Sequence, residues 1–271
     1  MEKKVYQEEV KITFINKILS GYFLMRFFAP KISKIALPGQ FIMVECSELL
    51  VPLLRRPFSF HSIYKESAEF EILFKIVGNG TKILSQKKVG ETVNVLGPLG
   101  NGFQILKNVE NISILARGIG IAPFKALIEG ALLKKIKVSL FFSVKEEKLM
   151  LLVDDLKNMD LEIFKFIEFN KDKKVSKAVK DFYKFAKNKY FDQAFTCGSK
   201  RFMRALARVE REFLIPCQVS LENVITCGVG SCLGCAIPVK VKDNKGNFRR
   251  IKYKRVCTDG PVFWVNEVIE N

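Results

Sequence analysis

The sequence predicts three successive units of class α/β plus β: an N-terminal antiparallel β-barrel, a doubly wound parallel α/β domain and a small cysteine-rich C-terminal subdomain. In the N-terminal part, short alternating apolar runs are divided by Pro/Gly turns, which is typical of an antiparallel barrel. From Phe103 onward, buried strands alternate with amphipathic helices, as in a parallel sheet. Four of the seven cysteines gather near the C-terminus. We place the three units at residues 1–102, 103–217 and 218–271.

The strands of the first unit follow from a period of two. Val10, Ile12 and Phe14 alternate with polar neighbours, and the run 22–28 is apolar and aromatic. Further strands are predicted in FIMVEC, in the alternating segment around Phe70–Ile76 and in ETVNVLGP. The residues before Phe103 are predicted to form strands, and no helical period of useful length appears among them.

The second unit opens with the buried strand ISILA, followed by the turn RGIGIAP and a helix. The apolar face of that helix comprises Phe124, Leu127, Ile128 and Ala131. Further strands are predicted in VSLFFSV, LEIFKFIEF and YFDQAFTCG, with helices around Val179–Ala186 and Phe202–Phe213. Strand–helix alternation of this kind favours a doubly wound parallel sheet.

Composition narrows the class of protein. About half of the 271 residues are apolar, with 24 phenylalanines, which is an ordinary globular composition. The start MEKKVYQEEVKITF does not resemble a signal peptide, and no apolar stretch is long enough for a membrane span. Seven cysteines without a secretory signal predict reduced thiols in the cytoplasm. For Cys46, Cys197 and Cys217 we expect buried structural thiols.

The net charge of +17 comes mainly from lysines spread along the chain. This is the pattern of a solvated basic surface, or of attraction to polyanions such as phosphate-rich cofactors, an acidic partner protein or nucleic acid. One basic segment, KVKDNKGNFRRIKYKRV, reads as a hairpin with a D-N-K-G turn between the third and fourth C-terminal cysteines. Such a hairpin is suited to docking an acidic electron acceptor.

The C-terminal cysteines are the most specific signal. Cys227, Cys232 and Cys235 have the spacing C-x4-C-x2-C, and Cys257 completes the set in RVCTDGPVF. The first intervals are those of a plant-type [2Fe–2S] site. Glycines at 228, 230 and 234 allow sharp turns, positive φ and N–H groups aimed at sulfur. A zinc site or a disulfide pair is the alternative, although structural zinc sites favour two short knuckles and only one is short here.

Two segments of the barrel predict a flavin site. Arg56-Pro57-Phe58-Ser59 begins a predicted strand. GNGT at 78–81 comes just after Phe74-Lys75-Ile76, the end of a later predicted strand. Gly78 and Gly80 allow close approach of backbone to phosphate, and Thr81 can add a hydroxyl donor at a helix N-terminus. Arg56 and Lys75 can neutralise a pyrophosphate.

The α/β unit carries a dinucleotide signal. Gly118 and Gly120 lie in a turn between strand and helix, where a pyrophosphate can be cradled. Thr196-Cys197-Gly198 ends a later strand at the same carboxyl edge, so Cys197 lies near a nicotinamide or is simply a buried thiol. His61 is the only histidine, and a surface or hydrogen-bonded structural role is favoured over acid–base catalysis. One histidine so placed assembles no Ser/His/Asp set, so hydrolysis is not indicated.

RPFS, GNGT, GIGIAP, TCG, CGVGSCLGC and CTDGPVF occur in an order that resembles the ferredoxin–NADP reductase superfamily. The chain is most similar to the electron-transfer subunits of class 1B dihydroorotate dehydrogenases, from about Val5 to Val265. The resemblance implies FAD on the barrel, NAD(H) as substrate in the α/β domain and a [2Fe–2S] cluster at the C-terminus. The flavin ring and ribityl chain would contact Arg56, Pro57, Phe58 and Ser59. The phosphates and adenosine end would be held by Leu73, Phe74, Lys75, Gly80 and Thr81, and the irons by Cys227, Cys232, Cys235 and Cys257.

The resemblance also implies an electron relay without catalytic acid or base residues. Electrons would pass between NAD(H), FAD and the cluster to or from an FMN-containing dihydroorotate dehydrogenase subunit of pyrimidine biosynthesis, in a hetero-oligomer. An alternative keeps the fold but places it in another flavin oxidoreductase or in a ferredoxin-linked bifurcating complex. A second alternative is a basic iron–sulfur redox sensor that binds nucleic acid, which the complete set of flavin and dinucleotide signals opposes.

Overall fold

A computed structural model describes residues 4–47, 51–168, 176–242 and 248–269. Its first sheet has seven strands in the order β4-β3-β7-β1-β2-β6-β5, all paired antiparallel. The strands are β1 Tyr6–Leu19, β2 Tyr22–Phe28, β3 Phe41–Val44, β4 Arg56–Ser59, β5 Ser62–Tyr64, β6 Glu69–Lys75 and β7 Thr92–Leu99. This curled sheet is the predicted barrel, and it is called the barrel below.

The barrel strands form where the sequence alternates. Val10 and Ile12 point into the barrel core, together with Met25 and Phe27 of β2. Two short helices, α1 Pro30–Ile35 and α2 Asn79–Leu84, lie between these strands. The second begins at the GNGT turn, where a helix N-terminus was expected, and the first was not predicted. Each has six residues, which is too short to produce a helical period in the sequence.

The second sheet has six strands in the order β10-β9-β8-β11-β12-β15. Its strands are β8 Asn111–Arg117, β9 Lys137–Val144, β10 Glu162–Ile167, β11 Gln193–Cys197, β12 Cys217–Ser220 and β15 Val262–Trp264. The first five in this order are parallel, which confirms the doubly wound sheet. Its helices are α3 Lys125–Leu133, α4 Lys177–Lys187 and α5 Lys200–Phe213. The order reverses between β8 and β11, where open α/β sheets bind ligands.

The C-terminal segment is built into this sheet. Strand β15 pairs antiparallel with β12, so the sheet crosses the predicted boundary at residue 217. The remaining strands of this segment, β13 Ala236–Lys242 and β14 Phe248–Arg255, pair antiparallel as a separate hairpin. The predicted D-N-K-G turn of the hairpin lies outside the described residues.

The units share apolar cores. Phe41, Met43 and Leu99 of the barrel belong to the same buried cluster as Cys235 and Cys257. A second cluster joins Tyr22 and Leu73 of the barrel to Phe124 and Phe195 of the α/β sheet. The barrel is therefore packed directly against both of the units that follow it.

Candidate functional site

A cavity of about 420 Å³ lies where the barrel, the α/β sheet and the C-terminal segment meet. Its volume is in the usual range for small-molecule sites. Every residue predicted to hold flavin lines it: Arg56, Pro57, Phe58, Ser59, Leu73, Phe74, Lys75, Gly80 and Thr81. Strands β4 and β6 and helix α2 bring these residues together from separate parts of the barrel.

The turn into α2 is shaped by two close contacts. A Cβ added to Gly80 would lie 2.9 Å from Arg56 Nε, so the arginine side chain packs directly on the backbone of this glycine. The Thr81 hydroxyl accepts bonds from the N–H groups of Val77 at 2.9 Å and Gly78 at 3.2 Å, and donates to the Gly78 carbonyl at 3.0 Å. The hydroxyl therefore closes the turn and is not the free donor that we expected from the sequence.

These residues fit a flavin dinucleotide. The cavity wall combines aromatic and aliphatic surface from Phe58, Leu73 and Phe74 with the cation of Arg56. An apolar wall suits an isoalloxazine, and a guanidinium beside exposed turn backbone suits a pyrophosphate. Lys75 is exposed at the rim, where its ammonium lies 5.5 Å from the centre of the Tyr22 ring.

The predicted dinucleotide turn is formed, and one of its glycines, Gly120, allows a close backbone contact. A Cβ on Gly120 would lie 2.6 Å from the Cys197 carbonyl oxygen, and one on Gly198 would lie 2.7 Å from the Arg117 oxygen. The two glycines therefore allow the backbones after β8 and β11 to touch. Gly118 has φ +52° and, like Gly120, does not line the cavity. Ile119, Ala122 and Pro123 of the same turn do.

Arg117, the long side chain in this turn, is held over the ends of β9 and β10. Its guanidinium donates to Ser143 Oγ at 3.2 Å and to the Glu168 carbonyl at 3.3 Å, and lies 3.5 Å from the Glu168 carboxylate. The pKa of that carboxyl is lowered because hydrogen bonds from Ser176, Ala178 and Ser143 outweigh the opposing effect of burial. The arginine thus forms part of the sheet edge.

Cys197 is buried, as expected of a structural thiol, and it also lies on the cavity wall. Its Sγ lies 3.9 Å from Glu222 Oε1, and Glu222 lines the cavity as well. Burial raises the pKa of Glu222, although the bond from Cys197 lowers it, and burial raises the pKa of the Cys197 thiol. Sequence reasoning missed Glu222. Its place in SLEN, just before the cluster cysteines, was the available signal.

The four predicted iron ligands form two pairs. Cys235 Sγ lies 3.3 Å from Cys257 Sγ, and the Cys257 N–H reaches Cys235 Sγ at 3.4 Å. Cys227 and Cys232 form the other pair, which shares a side-chain hydrogen bond. All seven cysteines are free thiols, which disfavours the disulfide alternative.

The loop between Cys227 and Cys232 favours the thiolate form of Cys227. Burial opposes ionisation of Cys227, but N–H groups of Cys232, Val229 and Ser231 point at its sulfur and lower its pKa to about 6. Gly228 and Gly230 have φ of +77° and +83°, as predicted. The third positive φ belongs to Leu233, at +57°, and not to Gly234.

This donor set fits a binuclear centre better than a single zinc ion. Within the described ranges, no three His, Cys, Asp or Glu side chains converge on one metal position. Tetrahedral zinc needs four ligands around one point, whereas two bridged irons take two thiolates each. One thiol pair on the glycine-rich loop, and a second pair that Cys235 of this loop makes with the distant Cys257, match the second arrangement.

The other residues singled out in the sequence, Cys46, Cys217, His61 and the described strands of the basic hairpin, do not line the cavity. Cys46 and Cys217 are buried, as expected of structural thiols. His61 is buried and its Nδ1 lies 2.9 Å from the Ala122 carbonyl oxygen, which confirms a hydrogen-bonded role. On the basic hairpin Lys240, Arg250 and Lys252 are exposed. None of the described helices is long and apolar enough to cross a membrane.

Comparison with known families matches both cofactor-binding parts of the chain. Residues 10–103 match the oxidoreductase FAD-binding domain. Residues 222–269 match the iron–sulfur cluster binding domain of dihydroorotate dehydrogenase B. The two matches lie on the barrel and on the segment that carries the paired thiols.

Two similar proteins are described as the electron transfer subunit of dihydroorotate dehydrogenase B (NAD(+)). The one from Desulforamulus reducens is 32% identical over 260 residues, 94% of this chain and 95% of the relative. The one from Caldanaerobacter subterraneus subsp. tengcongensis is 36% identical over 234 residues, 86% and 87% of the two chains.

Solved structures share the fold. An NADH-dependent reduced ferredoxin–NADP oxidoreductase, described in terms of flavin-based electron bifurcation, matches with a TM-score of 0.76 and 27% identity. The match covers 96% of this chain and 89% of that one. The ferredoxin reductase of carbazole 1,9a-dioxygenase matches with a TM-score of 0.62 at 16% identity over 78% and 65% of the chains, a likeness of fold alone.

Proposed function

The chain belongs to the family of electron-transfer subunits of dihydroorotate dehydrogenase B, and we propose that it relays electrons between NAD(H) and a catalytic flavoprotein subunit. One observation carries this proposal. The cavity lined by the flavin motifs is also lined by Asn223 and Ile225, which lead directly into Cys227. The proposed flavin site and the proposed thiol-ligated metal site would thus be joined by this short segment.

Three groups of residues support the three parts of the relay. Arg56 and Gly80 would hold FAD on the barrel, and the paired cysteines would hold a [2Fe–2S] cluster. Ile119, Ala122 and Pro123 face the same cavity from the dinucleotide turn, where NAD(H) would meet the flavin. When bound, the flavin exchanges a hydride with nicotinamide and single electrons with the cluster. The protein contributes orientation, spacing and exclusion of water.

Two further features extend the proposal. Free thiols throughout the chain are suited to a reducing cytoplasm. We also propose the division into units at 1–102, 103–217 and 218–271, which the matched ranges 10–103 and 222–269 support. We propose an FMN-containing dihydroorotate dehydrogenase as the partner in a hetero-oligomer.

A second candidate function rests on the solved structure with 27% identity. That protein is described as an NADH-dependent reduced ferredoxin–NADP oxidoreductase. The same cavity and thiol loop would serve a ferredoxin-linked bifurcating complex equally well. The two functions differ only in the partner protein.

Reconstitution distinguishes the two. The chain would be purified without oxygen and mixed either with the dihydroorotate dehydrogenase catalytic subunit of its own cell or with reduced ferredoxin. The proposed function predicts dihydroorotate-dependent reduction of NAD that requires both subunits. Reduction of NAD(P) that needs ferredoxin and ignores dihydroorotate would select the second candidate.

A further inference from the structure

A group of ionisable side chains, three of them buried and one exposed at its edge, lies between the barrel and the α/β unit, outside the cofactor cavity. It consists of His61, Glu71, Lys125 and Asp155, here called the ionic bridge. His61 and Glu71 are each 1% exposed and Lys125 is 7% exposed. Asp155, at 37% exposure, closes the group on the solvent side. The proposed relay uses none of the four, so the burial of His61, Glu71 and Lys125 requires another explanation.

His61 joins the two units through its ring and its backbone. Ring Nδ1 lies 2.9 Å from the Ala122 carbonyl oxygen, and because a carbonyl only accepts, Nδ1 carries the proton. The His61 carbonyl accepts the Ala126 N–H at 2.8 Å. Ring Nε2 lies 3.6 Å from the Asp155 carboxylate. One barrel residue therefore contacts three separate positions of the α/β unit.

Lys125 makes the complementary connection from the α/β side. Its ammonium lies 2.7 Å from the Asp155 carboxylate and 3.7 Å from Glu71, a barrel residue. Glu71 is in turn fixed within the barrel by Arg26 at 2.8 Å and by the Tyr64 hydroxyl at 3.0 Å. The lysine thus reaches a carboxylate whose own position is already set.

The location of the bridge connects it to the reaction. Ser59, two residues before His61, lines the cavity, and so does Ala122, whose carbonyl His61 binds. The first belongs to the flavin-contacting strand and the second to the dinucleotide turn. Fixing His61 against Ala122 therefore fixes the two walls between which hydride must pass.

Burying charge is a poor way to gain stability alone. A buried ion pair is often no more stabilising than well-packed apolar residues, because desolvation offsets the attraction. What such a pair supplies is one defined arrangement, since partners placed wrongly leave a charge unpaired. A bridge of this kind is suited to holding two units at one spacing.

We propose that His61 and Lys125 are positioning residues that set the spacing between nicotinamide and flavin by locking the dinucleotide turn to the barrel. This inference rests on the proposed function and adds residues that touch neither cofactor. Hydride transfer is steep in distance, so a displacement near 1 Å can lower the rate about 100-fold.

The test compares four variants in the fully loaded protein. His61→Phe removes both ring nitrogens, and His61→Asn keeps an amide donor near the place of Nδ1. Lys125→Met removes the ammonium. Lys87→Met is the control, because it removes a lysine from an ion pair within the barrel, 3.5 Å from Glu91. Stopped-flow reduction of the flavin by NADH gives a limiting rate and an apparent Kd for each.

We expect His61→Phe and Lys125→Met to lower the limiting rate about 10- to 100-fold, with FAD content and the apparent Kd nearly unchanged. His61→Asn should recover the wild-type rate to within a few-fold, and Lys87→Met should match it. Hydrogen exchange of the Ala126 amide, measured without nicotinamide, should speed up in His61→Phe and Lys125→Met alone.

Three results would overturn the inference. Unchanged limiting rates in His61→Phe and Lys125→Met, beside normal reduction of the wild type, reject the positioning role alone. If the limiting rate falls only in proportion to the FAD that is lost, and His61→Asn does not restore it, the ionic bridge stabilises the fold and does not position the cofactors. A wild-type flavin that NADH does not reduce rejects the proposed function together with the inference.

Discussion

Gly228 of the cysteine loop packs directly on Met43 of strand β3: a Cβ added to the glycine would lie 2.7 Å from Met43 Cγ. Phe41, on the same strand, lines the flavin cavity. The contact therefore joins the segment that carries Cys227 to the wall of the flavin site. A short path between two redox groups depends on this close approach of backbone to barrel.

The first prediction concerns this contact. Gly228→Ala should reduce the iron content of the purified protein by more than half, because the new methyl group pushes the loop away from Met43. Gly90→Ala is a matched control, since Gly90 also has a positive φ, +95°, but has open space around it. The control should lose about 1 kcal/mol of stability from backbone strain and keep its iron. Equal iron loss in both variants would mean that the strain of a positive φ, and not the contact with Met43, causes the loss.

The second prediction separates the flavin from the cluster. Cys232→Ser should leave FAD bound and reducible by NADH, but lower electron transfer to the catalytic subunit at least 100-fold, because one iron loses a thiolate. Cys46→Ala, which removes a buried thiol of the barrel, should retain transfer. The measurement is NADH-dependent reduction of the partner subunit under anaerobic conditions. Transfer at the wild-type rate in Cys232→Ser would reject the order of the relay.

The third prediction tests the flavin cradle with two adjacent arginines. Arg56 lines the cavity, whereas Arg55 is paired with Glu45 at 2.9 Å and also donates to the Asn94 carbonyl. Arg56→Ala should weaken FAD binding by about 1.5–3 kcal/mol, or roughly 10- to 100-fold in Kd, the usual contribution of a hydrogen bond to a charged group. Arg55→Ala should leave that Kd within a few-fold. Calorimetric titration of the flavin-free protein with FAD measures both, and a larger effect at Arg55 contradicts the assignment.

The fourth prediction is a pH dependence. The pKa of Glu222 is raised because the carboxyl is buried, with Cys197 lowering it in part. Ionisation is therefore less favourable in the folded than in the unfolded protein, and stability falls as pH rises through the ordinary glutamate range toward the raised pKa. Glu222→Gln lacks this penalty, so its advantage in melting temperature should be small at pH 4, grow as pH rises through the ordinary glutamate range, and level off above the raised pKa. An advantage that stays constant, or shrinks, across this range would contradict the raised pKa.

Much of this architecture follows from local sequence. The period-two segment at Val10 and Ile12 defines a barrel strand because alternate residues must be buried. The cysteine spacing predicts a thiol-ligated site because the glycines between the cysteines permit a tight loop. These signals are local, and each depends on residues only a few positions apart.

Other features depend on contacts between distant parts of the chain. In the sequence, Gly120 is part of a predicted phosphate-binding turn. In the folded chain, glycine is also required at this position because the backbone at Cys197 lies against it. Glu222 joins the cavity only because β12 pairs with β11 and brings the following segment to Cys197. His61 reads as an isolated histidine, and its partners Ala122 and Asp155 come from the other unit. Such pairings become visible only when the chain is folded.

In the proposed relay, one chain carries electrons from nicotinamide through a flavin to a sulfur-ligated iron centre. Anaerobic titration of the purified protein with NADH, followed by visible absorption and low-temperature EPR, tests it directly. We expect the flavin absorption bands to bleach while the EPR signal of a reduced [2Fe–2S] cluster grows, in protein that contains about two irons per chain. A colourless protein that contains zinc, or a flavin that bleaches while no iron signal develops, would contradict it.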